Sequence, residues 1–202
     1  MAFRTGAVMK VQSTSVPQPF WGSWISAVVT GSLAGSNTSP VTLTLGTACN
    51  AGNDASQLFI PGDPVWLIDP TGVNGEACRI SGISGNNITL GPQNDNGNFV
   101  TRNPHVAGAY GTGTFILLGI DVNNLFIQFE DGSTGQWLYL GNQYNFTAAF
   151  KRIVKLSKVT TNTMPFNFNA TENFFGSPIR VSELWALGTS VGDLYNISLG
   201  IL

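Results

Sequence analysis

His105 is the only histidine among 202 residues, and histidine is the side chain whose ordinary pKa suits acid–base work near neutrality. To act in hydrolysis it needs a nucleophile beside it, and no Ser or Cys motif carries the strand-to-helix elbow that would supply one. A structural place at the edge of a barrel is expected for it. Cys49 and Cys78 lack Cys-x-x-Cys spacing, and with one histidine a thiolate zinc site has too few ligands. Both cysteines are expected to be buried free thiols, since the thiol packs as a small hydrophobe.

Asp54, Asp63, Asp69 and Glu76 contain the carboxylates from which a glycosidase pair could be drawn if two of them met in space. Most such residues here stand beside Gly or Pro, which predicts solvated loop carboxylates instead. Gly111-Thr112-Gly113 has neither the following helix nor the lysine of a phosphate loop. Lys151, Arg152, Lys155 and Lys158 form one basic cluster. With nine Lys and Arg in all and a net charge of −2, a solvated or protein-facing strand edge is expected there, and nucleic acid is not expected as a partner. Sequons at Asn37, Asn87, Asn145, Asn169 and Asn196 follow from abundant Asn and Thr. No catalytic, cofactor-binding or metal-ligating residue is assigned, no cofactor is expected, and the chain reads as a non-enzyme.

Composition turns attention from chemistry to contact. Apolar residues make up 43% of the chain and charged residues 10%, against roughly 25% charged in ordinary soluble domains. Charge keeps soluble proteins apart, so a chain this poor in it suits a surface covered by neighbours, as in an obligate oligomer or lattice. Residues 1–11 lack the apolar run of a signal peptide, and no stretch approaches the roughly 20 apolar residues of a membrane helix. Synthesis in a cytoplasm without export is expected, and no membrane partner.

The elements that must position these residues read as strands from end to end. Val41-Thr42-Leu43-Thr44-Leu45 alternates; Leu125, Ile127 and Phe129 share a face; Ile179 to Trp185 alternates; and Tyr195, Ile197, Leu199 and Ile201 fall on one side. Turn signals separate them at Pro61-Gly62-Asp63, Ser84-Gly85-Asn86-Asn87, Asp131-Gly132 and Leu140-Gly141-Asn142. Residues 146–158 fit a helical face through Phe146, Ala149, Phe150 and Ile153 or a strand, and both stay open. Residues 91–98 predict a long surface loop. Trp66, Trp137, Trp185, Phe126, Phe129 and Tyr195 are expected to be mostly core.

Residues 1–40 differ, with Pro17, Pro19 and Pro40, the polar run Gly35 to Ser39, and the apolar patch Phe20 to Ile25 between them. They read as an extended N-terminal arm that docks on a neighbouring subunit or on its own barrel, with Phe20, Trp21, Trp24 and Ile25 as interface residues. The predicted fold is all-β: the arm at 1–40, a small β-barrel at 41–118 and, beyond a seam near Gly119 to Asn124, an antiparallel β-sandwich at 119–202.

The segment Phe59-Ile60-Pro61-Gly62-Asp63-Pro64-Val65-Trp66-Leu67-Ile68-Asp69, then Cys78 to Leu90, then His105-Val106-Ala107-Gly108-Ala109-Tyr110, resembles small β-barrel modules of structural proteins of tailed bacteriophages. In this pattern Gly62-Asp63 turns the chain into a strand, Val65 and Leu67 supply one face, Cys78 and Ile80 another, and Ile88 to Leu90 closes the meander. The resemblance implies a virion structural protein. The leading expectation is a capsid decoration or cement protein, a trimer or dimer held to itself and to the major capsid protein or another virion protein. A tail tube, adaptor or hub component is the alternative within the virion, and a receptor- or carbohydrate-binding module the alternative outside that class.

Overall fold

The computed structural model describes residues 2–46, 54–92, 99–130, 135–142, 151–157, 166–169 and 179–201. Its strands run β1 (Ala2–Lys10), β2 (Gln18–Pro19), β3 (Gly22–Thr30), β4 (Val41–Leu45), β5 (Pro64–Ile68), β6 (Glu76–Ser84), β7 (Asn87–Gly91), β8 (Phe115–Leu118), β9 (Asp121–Phe129), β10 (Trp137–Asn142), β11 (Lys151–Ser157), β12 (Phe166–Asn169), β13 (Ile179–Arg180), β14 (Leu184–Gly188) and β15 (Leu194–Ile201). The all-β reading holds, with only two short 3-10 turns, at Ala55–Gln57 and Val181–Glu183, among the described residues.

Six strands close a barrel in the order β3-β4-β7-β6-β5-β8. Alternation drives it. Val41, Leu43 and Leu45 point inward, while Thr42 and Thr44 face out and bond across to Thr89 and Asn87 on β7. Ser84 and Asn87 pair across the two-residue Gly85-Asn86 turn, where Gly85 takes φ +56°. Val65 and Leu67 are buried, so Trp66 between them faces outward and lies over Gly75, which corrects its expected place in the core.

The remaining described strands form two open antiparallel sheets. One orders β1-β15-β9-β12, with β13 pairing the start of β9; the other orders β11-β10-β14-β2. Leu125, Ile127 and Phe129 lie directly opposite Leu199, Ile197 and Tyr195, and all six are buried. The sheets are linked by Gln18 of β2, whose side-chain amide donates to the Tyr195 hydroxyl of β15 at 3.2 Å. Ile179 to Trp185 is not one strand. It breaks at the Val181–Glu183 turn, and β14 that follows is buried at every position, because Leu-Trp-Ala-Leu is apolar without alternation and suits a strand covered on both faces. Gly141, expected in a turn, sits inside β10 at a register shift.

Residues 1–40 are not a separate arm. β1 forms a full antiparallel ladder with β15, β2 pairs β14, and β3 is a barrel strand held by both β4 and β8. Phe20, Trp21, Trp24 and Ile25 are buried inside the chain's own core: Trp21 Nε1 donates to the Leu58 carbonyl at 2.6 Å, and the Phe20 ring stacks on Tyr195 at 6.4 Å. An aromatic cluster this large covers more apolar area inside one chain than a free arm could leave exposed, so the patch folds inward. The barrel therefore begins at Gly22, not at residue 41. Of the open helix-or-strand segment, residues 151–157 are strand and residues 146–150 lie outside the described residues, as do Cys49, the Asp131-Gly132 turn and most of the predicted loop at 91–98.

Gly22 is where β3 meets β8 most closely; a Cβ there would lie 2.2 Å from the Ile116 carbonyl oxygen. Gly22→Ala should destabilise the fold by about 3 kcal/mol, since the clash is with backbone and cannot be relieved by a rotamer change. Gly82→Ala, whose nearest contact would be the Thr89 Cβ at 3.9 Å, should cost far less in the same denaturant titration.

Candidate functional site

Three ionisable groups, Asp69, Glu76 and His105, meet at one end of the barrel. β5 finishes at Ile68 and delivers Asp69 into a turn closed by the Gly72 amide donating to the Asp69 carbonyl at 2.8 Å, with Gly72 at φ +74°. Asn74 Nδ2 donates to Asp69 Oδ2 at 2.9 Å, and the chain re-enters the barrel at Glu76, the first residue of β6. Residues 99–114 then pass across this end. The amides of Arg102 and Asn103 donate to Glu76 at 2.7 and 3.1 Å, and Thr114 Oγ1 donates to Asp69 Oδ1 at 2.6 Å.

His105 sits between the two acids. Its Nδ1 is 3.0 Å from Asp69 Oδ1 and its Nε2 is 2.7 Å from Glu76 Oε1, with the imidazole fully buried. Burial disfavours the charged ring, yet the hydrogen bonds and charges of Glu76 and Asp69 outweigh it and raise the His105 pKa above its ordinary value. Burial likewise works against both carboxylates. Thr114, His105 and Asn74 hold Asp69 below its ordinary range nonetheless, and His105 with the Arg102 and Asn103 amides does the same for Glu76. The geometry suits an imidazolium that donates from both nitrogens to two carboxylates.

A ring bonded at both nitrogens has no lone pair to offer a metal or a proton. The ring ties residues 99–114 to the β5–β6 end of the barrel. His105 lies at an end of the barrel, as expected, while the expectation that Asp69 and Glu76 are solvated loop carboxylates is overturned. Asp63 is buried too and accepts from the Ile60 amide at 2.8 Å; Asp54 is only partly buried and caps the Ala55–Gln57 turn through the Ser56 amide. The pairing was open to inference from one signal, that a charge-poor chain with a single histidine has few ways to neutralise a carboxylate at a strand end.

The linkage has a definite sign. The raised His105 pKa means its stabilisation is complete below the ordinary value of 6.5 and is lost as pH rises through the folded value. The lowered acids contribute fully above their ordinary values of 3.8 and 4.5 and lose that contribution as pH falls through the folded ones. Thermal melts across pH should show the contribution of this cluster whole between 4.5 and 6.5, declining on either side.

Other groups among the described residues also have internal partners. Cys78 is a buried free thiol donating to the Val100 carbonyl at 3.2 Å, and burial, reinforced by Glu76, pushes its pKa far above the thiolate-forming range. The expectation that no Ser motif has the nucleophile-elbow form is corrected by Gly188-Thr189-Ser190-Val191-Gly192, which has the Gly-x-Ser-x-Gly spacing; it joins β14 to β15 with no helix following, and its Thr189 hydroxyl accepts from the Gln136 and Trp137 amides. Gly111-Thr112-Gly113 is a turn with Gly111 at φ +90°. Of the basic cluster, Lys155 is exposed on β11, its ammonium 3.5 Å from the centre of the Trp137 ring; Lys158 lies outside the described residues. Among the described residues no group of three or more His, Cys, Asp or Glu is placed to hold a metal ion. A shallow groove on the outer face of the β9–β15 pair is lined by Phe126, Gln128, Asn196 and Ser198 over Ile127.

No protein-family model and no curated protein sequence matches the chain. Among solved structures it is similar to VP17, a capsid protein of bacteriophage P23-77, at 12% identity over 98% of this chain and 70% of that one, with a TM-score of 0.22. It is also similar to the VP16–VP17 complex of the two major capsid proteins of the same phage, at 14% identity over 98% and 72%, again with a TM-score of 0.22. At that TM-score the likeness carries no argument about fold or role.

Proposed function

We propose that this chain is a non-enzymatic structural subunit of a phage particle, a decoration or cement protein that binds the head as a dimer or trimer and stabilises it through subunit contacts. The observation that carries this reading is the surface. Only 10% of residues are charged, and Val29, Ile60, Val73, Val106 and Val191 are each more than half exposed. Scattered single apolar side chains are ordinary, but combined with so little charge they suit a protein whose surface is covered in use. The commitment of the only histidine to an internal ion cluster agrees with a role in which rigidity, not turnover, is the product. At about 25 cal/mol per Å² before association costs, contacts of a few thousand Å² would resist the pressure of packaged DNA.

The test is a particle assembled without this chain. Its resistance to heat and chelation should fall and should return when purified chain is added back; equal resistance with and without it removes the cement reading. Imaging the labelled chain separates head from tail, since a tail component would lie in rings about the axis instead of on the lattice.

A second reading, carbohydrate binding, is favoured by the groove of Phe126, Gln128, Asn196 and Ser198, which sets an aromatic ring beside amide and hydroxyl groups. A glycan screen of the assembled oligomer without a hit would exclude it.

A further inference from the structure

The distal half of β3 differs from every other barrel segment. Gly22 to Ile25 is buried, whereas Ser26, Ala27, Val28, Val29 and Thr30 are all exposed, so both faces of a β-strand are in water. The cause lies in the ladder. β8 pairs β3 only from Gly22 to Trp24, and β4 pairs it to Thr30 with register shifts between Ile25 and Ala27 and between Val28 and Thr30. On the side away from β4, the last backbone tie is the Gly108 amide to the Ile25 carbonyl, and the next is the His105 amide to the Leu33 carbonyl. Three residues of the crossing segment thus span what eight residues of β3 and its turn take to cover, so the hairpin lifts off the barrel wall. Gly31 at φ +82° turns it back.

An open strand edge pairs with another strand unless charge, proline or a covering segment prevents it. None of these protects Ser26 to Thr30. From Val11 to Asn53 the chain contains no Asp, Glu, Lys, Arg or His at all. Two register shifts fall within the segment, and all five of its residues remain exposed.

We propose that Ser26–Thr30 is a self-association edge, pairing antiparallel with the same segment of a second copy of this chain. The absence of charge selects that occupant. A two-fold contact sets each strand against its own sequence, so any charge near the axis would meet its like; an uncharged Ser-Ala-Val-Val-Thr strand meets no repulsion in any register. Val28 and Val29 are both exposed and would cover a neighbour's backbone. Five paired residues fall short of the roughly 1,200–2,000 Å² of a stable interface, so this contact alone gives a weak dimer. The inference does not depend on the virion reading.

Sedimentation equilibrium of the full chain up to concentrations on the order of 1 mM should show a reversible dimer. Val29→Lys and, independently, Ala27→Lys should each weaken it at least about tenfold without lowering the melting temperature, since both positions are exposed. Val191→Lys, on an exposed turn remote in sequence, should leave it unchanged. A wild-type chain that stays monomeric over that range overturns the proposal. So does an oligomer indifferent to both lysines, and so does an edge that binds only a different particle protein.

Discussion

Replacing His105 with alanine should lower the stability of the protein by about 2–4 kcal/mol at neutral pH, the range for breaking one member of a buried ion cluster, reduced because Asp69 keeps some access to water. The loss is not that of one contact. Asp69 and Glu76 would be left as partly buried carboxylates facing the cavity of the missing ring, each short of one charge-assisted donor. The advantage of wild type over the variant should be greatest between pH 4.5 and 6.5 and narrow outside it, following the signs already given for the three groups. Nitrogen NMR of the labelled ring should show both nitrogens protonated at pH 7. A ring titrating at or below its ordinary value, or a variant as stable as wild type, would show that the cluster is not an ion pair network.

Deleting residues 1–25 should abolish cooperative unfolding altogether. The deletion removes β1 from one sheet, β2 from the other and the Gly22–Trp24 ladder that closes the barrel against β8. It also strips out Phe20, Trp21, Trp24 and Ile25, each worth about 2–5 kcal/mol when cut back to alanine in a packed core. Together they rival the net stability of about 5–15 kcal/mol of a typical domain. The expected product is aggregated or molten, without a calorimetric transition. Trp21→Ala is the milder form of the same test and should cost about 3–5 kcal/mol, including the hydrogen bond to the Leu58 carbonyl. A truncated chain that melts cooperatively would restore the arm.

Much of the fold was legible wherever one face of a strand is wet. Val41 to Leu45 and Leu125 to Phe129 alternate because one side meets water, and the Gly85-Asn86 turn has the residues such turns require. Legibility failed where burial is two-sided or depends on distant partners. β14 loses its alternation where it is buried at every position, and Phe20 to Ile25 reads as an exposed patch because the rings packed on it, Tyr110 and Tyr195, are distant in sequence. The ion cluster was hidden for the same reason: Asp69, Glu76 and His105 come from three separate segments, and only the closed barrel brings them to one end.

The position of β15 bears on how the molecule is made. Strands of the barrel follow one another closely and can zip from hairpins such as β6–β7, whereas β15 must enter between β1 and β9, which have no ladder with each other. Closing β1 onto β15 spans nearly the whole chain, and that entropy is spent before the pairing returns anything. The barrel should therefore gain hydrogen-exchange protection before the β1–β15–β9 sheet during refolding. β1 and β9 wait with bare edges until the final strand slots in, so the protein is most exposed to misassembly in the interval between those two events.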